Sequence, residues 1–166
     1  MDVPQLLVEI DGELSAQGSP ERAVQERACL KSRLDHYGAS VPAVRAVAKR
    51  VAKRRPPLGR DELLALVDAL WVGTVYERRR VAVVLLELCG DRLQPADMGM
   101  LERLLREAQT WALVDELAAV VVGGLGLFPR AQRALGRDRP GGREAAVRGA
   151  AQRGACGPLT AAPTRT

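Results

Sequence analysis

The chain has 166 residues, 47% hydrophobic and 27% charged, which fits a folded domain and excludes a chain that is disordered or fibrous throughout. Aromatic residues make up only 3%, which argues against a surface built from stacking aromatic platforms. The net charge of +5 is uneven: residues 130–166 carry eight arginines against Asp138 and Glu144, while residues 1–128 stand at −1, so bulk basicity is no signal for nucleic-acid binding.

No stretch approaches the ~18 consecutive apolar residues of a membrane-spanning helix. The N-terminal MDVPQLLVEIDGEL has acids where a secretory signal needs basic residues and an apolar block, so the expectation is a cytoplasmic protein. Cys29, Cys89 and Cys156 are odd in number and far apart, and suggest neither a disulfide framework nor a zinc site.

Helical signals follow one another from the start. Leu6, Leu7, Ile10 and Leu14 form a first apolar stripe that Gly18 ends. Ser19 and Pro20 open a second helix, about 20–34, whose buried face would use Ala23, Val24, Ala28 and Leu34. The connector Asp35-His36-Tyr37-Gly38-Ala39-Ser40 leads to a third helix with Pro42 in its first turn and Val44, Val47, Ala48, Val51 and Ala52 inward. Pro56-Pro57 stops it. A fourth helix, about 61–72, turns Leu63, Leu64, Val67, Leu70 and Trp71 inward, and Gly73 closes it. Thr74-x-x-Glu77 reads as a capping box for a fifth, with Val81, Val84, Leu85 and Leu88 inward. A sixth, about 95–108, uses Met98, Leu101, Leu104, Leu105 and Ala108; a seventh, about 110–122, uses Val114, Leu117, Ala118 and Val121. No segment alternates with period two between hairpin turns, so the fold class is all-α. Helices of about 12–15 residues joined by short turns predict an α-solenoid of antiparallel HEAT-like pairs. The domain would cover residues 1–125. Residues 126–166, rich in Arg, Gly and Ala, are expected to be a disordered tail, because Leu135, Val147 and Leu159 are the only large apolar residues after Pro129. An out-of-frame translation of a gene for further helices is the other reading of that segment.

Three features could carry chemistry. Arg45, Lys49 and Lys53 stand at i, i+4 and i+8, opposite the apolar side of the third helix, and no acid occurs between His36 and Arg60. A row of cations on one helix face can follow phosphates; the plainer reading is a solvated face. Trp111 and Asp115, at i and i+4, share a face of the seventh helix, where an indole and a carboxylate can stabilise one cation, such as positive charge developing on a sugar, and orient a water. The plainer reading makes Trp111 core. Third, the connector at Tyr37-Gly38 and the helix start at Val41-Pro42 could offer N–H groups to an anion. His36, the only histidine, has no Cys, Asp or Glu at metal-ligand spacing and reads as a loop residue, not a ligand.

The ordered set Lys31…Tyr37-Gly38-Ala39-Ser40-Val41-Pro42-Ala43-Val44-Arg45, Leu70-Trp71, Tyr76-Glu77-Arg78 and Thr110-Trp111-x-x-Val114-Asp115 resembles the bacterial DNA alkylation-repair (AlkD-like) proteins, over about residues 20–125. That resemblance implies a curved HEAT-like solenoid with a basic concave surface for duplex DNA. It implies a monomeric DNA glycosylase that hydrolyses the N-glycosidic bond of positively charged N3- and N7-alkylated purines with no metal or organic cofactor. Such a protein would be associated with the nucleoid when at work. Recognition would run through deoxyribose and backbone and not through a flipped base. Carried over by match, Trp111 lies against the sugar of the lesion and Asp115 stabilises the oxocarbenium-like sugar and positions water. Lys31, Tyr37, Gly38, Val41, Pro42, Arg45, Lys49 and Lys53 are the expected DNA-binding set. Family members usually have further helical pairs, another arginine on the catalytic surface and a second tryptophan. Here no Trp follows Trp111, and Arg143 or Arg148 falls near that arginine without a fixed place, so the resemblance is to a member shortened at its C-terminus. A non-catalytic HEAT-like module that binds DNA or protein is the alternative.

Overall fold

The structure, a computed structural model, describes residues 2–124. The expected tail, with Arg143 and Arg148, lies outside the described residues. Seven α-helices follow in order: α1 (Val3–Ala16), α2 (Pro20–Cys29), α3 (Val41–Ala52), α4 (Arg60–Val72), α5 (Tyr76–Leu88), α6 (Met98–Glu107) and α7 (Trp111–Gly124). Two single 3₁₀ turns, Gly90–Arg92 and Pro95–Asp97, precede α6. There is no β-strand among the described residues; Asp35 and Val75 form one isolated bridge.

The packing is that of a solenoid. α5 lies against both α4 and α3, and α7 against both α5 and α6, so helices pack on their chain neighbours and on those two places away. α1 covers α3 and α4. α5 is the central member: ten of its thirteen residues are buried, among them the charged Glu77, Arg79 and Arg80, each of which has a partner. The stripes expected on α1, α3, α4, α5 and α6 supply the core, with Leu66 added on α4. Leu88, expected inward, is 38% exposed at the end of α5.

α2 departs from expectation. It ends at Cys29 instead of near 34, because Lys31 takes a left-handed conformation (φ 48°). None of its residues is buried; Val24 is 71% exposed, and Leu34 reaches the core from the connector.

The connector that follows is docked on the start of α5. The Asp35 N–H donates to the Thr74 carbonyl (2.8 Å), and the Tyr76 N–H donates to the Asp35 carbonyl (2.9 Å). The Glu77 carboxylate, wholly buried, accepts the N–H groups of Tyr37 (3.1 Å), Gly38 (2.7 Å) and Ala39 (3.2 Å). The expected capping box is therefore not formed. Val75 is the N-cap of α5 with no side-chain cap bond, and Thr74 donates its hydroxyl to Asp35 (2.8 Å). Three buried amides compete for Glu77 and outweigh one exposed helix end. Gly38 adopts φ +77°, and a Cβ there would stand 2.1 Å from the Ser19 carbonyl oxygen, so backbone approach as well as φ requires glycine.

Glu77→Ala leaves three inward N–H groups without an acceptor. It is expected to cost about 3 kcal/mol or more, measured as a lower urea midpoint at an unchanged m-value.

Candidate nucleic-acid interface

α7 begins where Gln109 takes φ 59° and Thr110, nearly buried, accepts the Leu113 N–H on its hydroxyl (3.3 Å). From that start Ala112, Leu113, Leu117 and Val120 face the core, and Trp111, Val114, Asp115, Ala118 and Ala119 face out. The expected inward stripe is thus rotated: Val114 is 39% exposed and Ala118 is exposed, while Leu113 takes the inward place. The side chain of Val121 lies outside the described residues. Trp111 is 49% exposed, so it is not a core residue. Asp115 is exposed and makes no hydrogen bond or ion pair with another described residue. A half-bare indole beside an unpaired carboxylate one turn away is a surface that can take a cation. Trp71, by contrast, is 1% exposed, with the Arg79 guanidinium 5.1 Å from its ring centre.

The basic row on α3 is less free than its sequence suggests. Arg45 donates to both oxygens of Glu87 on α5 (2.9 and 3.0 Å). Arg50 pairs with Glu13 (2.7 Å) and Arg54 with Glu9 (3.7 Å), both on α1. The stretch without acids in sequence is flanked by acids in space. Lys49 and Lys53 are exposed and have no partner among the described residues.

The connector is also committed. Its Tyr37 and Gly38 amides are held by Glu77, so the expected anion site exists but its anion is internal. The Tyr37 hydroxyl donates to Asp11 (3.3 Å), and burial together with that carboxylate pushes the phenol above its usual range. Arg78 closes the same cluster by donating to both oxygens of Asp11. Val41 and Pro42 form the first turn of α3, whose N-cap Ser40 accepts the Ala43 N–H (3.3 Å). Lys31 is exposed at the end of α2.

α5 is tied by ion pairs to both α3 and α7. Arg45 and Glu87 join α3 to α5, and Arg80, 4% exposed, pairs with Glu116 to join α5 to α7. The structure puts Trp111 and Asp115 on one exposed face. No hydrogen bond or ion pair among the described residues joins them to Arg45, Lys49 or Lys53. Sequence reasoning missed Glu87 and Glu116, since each partner is more than thirty positions away and nothing local marks the pairing.

A search of curated proteins and of solved structures finds no match. The family model described as "DNA alkylation repair enzyme" matches residues 10–135, well over half of the chain and all of α3 to α7. The chain belongs to the DNA alkylation repair enzyme family.

Proposed function

We propose that this protein is a HEAT-like DNA glycosylase that hydrolyses the N-glycosidic bond of positively charged N3- or N7-alkylated purines in duplex DNA. The observation that carries this reading is the exposed Trp111–Asp115 pair on α7 of a chain in a DNA-repair family. An alkylated purine is already cationic, so its C1′–N bond breaks with the electron pair going to a neutral base. The sugar left behind gains oxocarbenium character. The Asp115 carboxylate stabilises that charge and orients a water, whose oxygen bonds to C1′ and whose proton passes to the carboxylate or to solvent. The indole of Trp111 lies along the deoxyribose and keeps bulk water from the back of the sugar. Lys49 and Lys53 meet phosphates directly; Arg45 reaches one by exchanging Glu87 for it. Lys31, Val41 and Pro42 follow the same strand in this reading, while Tyr37 and Gly38, whose amides are held by Glu77, shape the turn that presents them.

Base release from methylated duplex DNA is the direct test. The wild-type protein is expected to release 7-methylguanine or 3-methyladenine. Asp115→Asn should lower the single-turnover rate by roughly a hundredfold or more, the scale of removing one transition-state electrostatic partner. Trp111→Ala should reduce the rate with little change in affinity for undamaged DNA. Absence of release by the wild type, with duplex binding retained, would establish the non-catalytic reading instead.

Lys49→Ala combined with Lys53→Ala removes two uncompensated cations. Duplex binding should weaken at all sequences, and the slope of log K against log salt should become shallower by about 2. Fluorescence anisotropy across a salt series measures both.

A further inference from the structure

We propose that Glu26, His36 and Glu77 form a site for one divalent transition-metal ion of the zinc type, which ties α2 to the body of the fold. It is independent of the catalytic reading. His36 was expected to be a loop residue without ligand partners, because its neighbours in sequence supply none. The fold brings two carboxylates to it, from ten residues before and forty-one after.

The His36 side chain is 1% exposed, and neither ring nitrogen has a hydrogen-bond partner. Its ring is stacked on Tyr76, with centroids 4.7 Å apart and planes at 19°, so its orientation is fixed. Glu26 Oε2 is likewise buried without a hydrogen-bond partner, 3.8 Å from His36 Nδ1. That separation is too long for a hydrogen bond. It suits two donor atoms that share something between them. A Glu77 oxygen completes the set, with all three ligand atoms within 4.8 Å of one another. Glu77 Oε1 accepts two amides and Oε2 only one, so a lone pair remains on Oε2.

Glu26 Oε2 and the two His36 nitrogens are buried without a partner, a cost that a cation between carboxylate and ring would remove; the Arg80 guanidinium, 5.9 Å from the Tyr76 ring centre, is committed to Glu116. Two carboxylates balance a divalent charge, and an imidazole with two carboxylates suits zinc and its neighbours better than calcium or magnesium, which favour oxygen alone. Zinc bonds near 2.0–2.2 Å place tetrahedral ligands roughly 3.4 Å apart, so Glu26 and His36 need close by only a few tenths of an ångström. Glu26 can make that approach, since α2 alone among the described α-helices has no buried residue holding it. An open pocket of about 500 Å³ beside α2, lined by Gly18, Ala23, Arg27, Asp35, Tyr37 and His36, reaches the histidine and is the side from which an ion would enter.

The test uses untagged full-length protein, stripped with EDTA and titrated with Zn²⁺ by calorimetry. Co²⁺ serves as the spectroscopic probe, and the imidazole resonances of His36, the sole histidine, are followed by NMR. One equivalent of Zn²⁺ should bind and raise the melting temperature, and Co²⁺ should shift and broaden the His36 signals. His36→Ala and Glu26→Gln should each weaken binding about tenfold or more. Circular dichroism checks the fold, and Glu26→Gln, on a helix without buried residues, keeps the test decisive should His36→Ala unfold. The proposal is overturned if the wild type binds no stoichiometric ion, or if His36→Ala binds as well as the wild type. It is also overturned if the His36 resonances respond to pH and to Glu26→Gln but ignore both metals, which would mark a protonated imidazole paired with Glu26.

Discussion

One buried carboxylate holds the two halves of this fold in register. Glu77 stands in the first turn of α5 and binds three consecutive backbone amides that lie about forty residues earlier in the chain. The connector 35–39 has little apolar mass of its own, Ala39 being buried and the Tyr37 and His36 rings packing at the edge of the core, and the amides of 37–39 are turned toward Glu77. Without an acceptor each would carry the desolvation cost of an unmade hydrogen bond. With Glu77 in place, the connector fixes the entry to α3 on one side and the turn from α2 on the other. The requirement for glycine at 38 belongs to the same constraint, because Gly38 approaches Ser19 and the start of α2 more closely than any side chain permits.

The same economy governs the surface charge. The arginines of α3 and of the turn after it are partnered by acids on α1 and α5, so the face that sequence alone makes strongly basic is close to neutral around Arg45, Arg50 and Arg54. These pairs are a quarter or more exposed, and exposed pairs are typically worth about 0–1 kcal/mol. On the proposed reading, exchanging Glu87 for a phosphate would therefore cost Arg45 little.

Much of this was legible in the sequence and some was not, for identifiable reasons. α1, α3, α4, α5 and α6 follow from apolar spacing, because each buries its stripe against a neighbour and period alone decides which residues go in. α2 failed because Ala23, Val24 and Ala28 make a weak stripe, and nothing in the chain requires them to be covered. On α7 the apolar residues are too many to choose among: Leu113 and Val114 are adjacent, and only the position of the Thr110 cap decides that Leu113 turns inward. Thr74-x-x-Glu77 has the spacing of a capping box, but tertiary demand from the connector overrode it. The pair Trp111 and Asp115 was placed on one face correctly, since i, i+4 spacing is independent of which face is buried.

The three consecutive arginines after Glu77 show how α5 transmits this order to α7. Arg78 runs to Asp11 on α1, Arg79 donates to the Glu107 carbonyl at the end of α6 (2.6 Å), and Arg80 pairs with Glu116 on α7. Successive helical positions are about 100° apart, so three adjacent side chains necessarily reach three different neighbours. Burying Arg79 and Arg80 adds little to stability, because desolvation offsets much of the attraction. What two buried, directional contacts do supply is a single allowed position for the turn from α6 into α7, just before Thr110 and Trp111. The reaction proposed here, on a lesion that already weakens its own glycosidic bond, asks for few groups but asks that they be held still. On that proposal, the indole and carboxylate on the open face of α7 would meet the demand because α5 fixes the helix from behind.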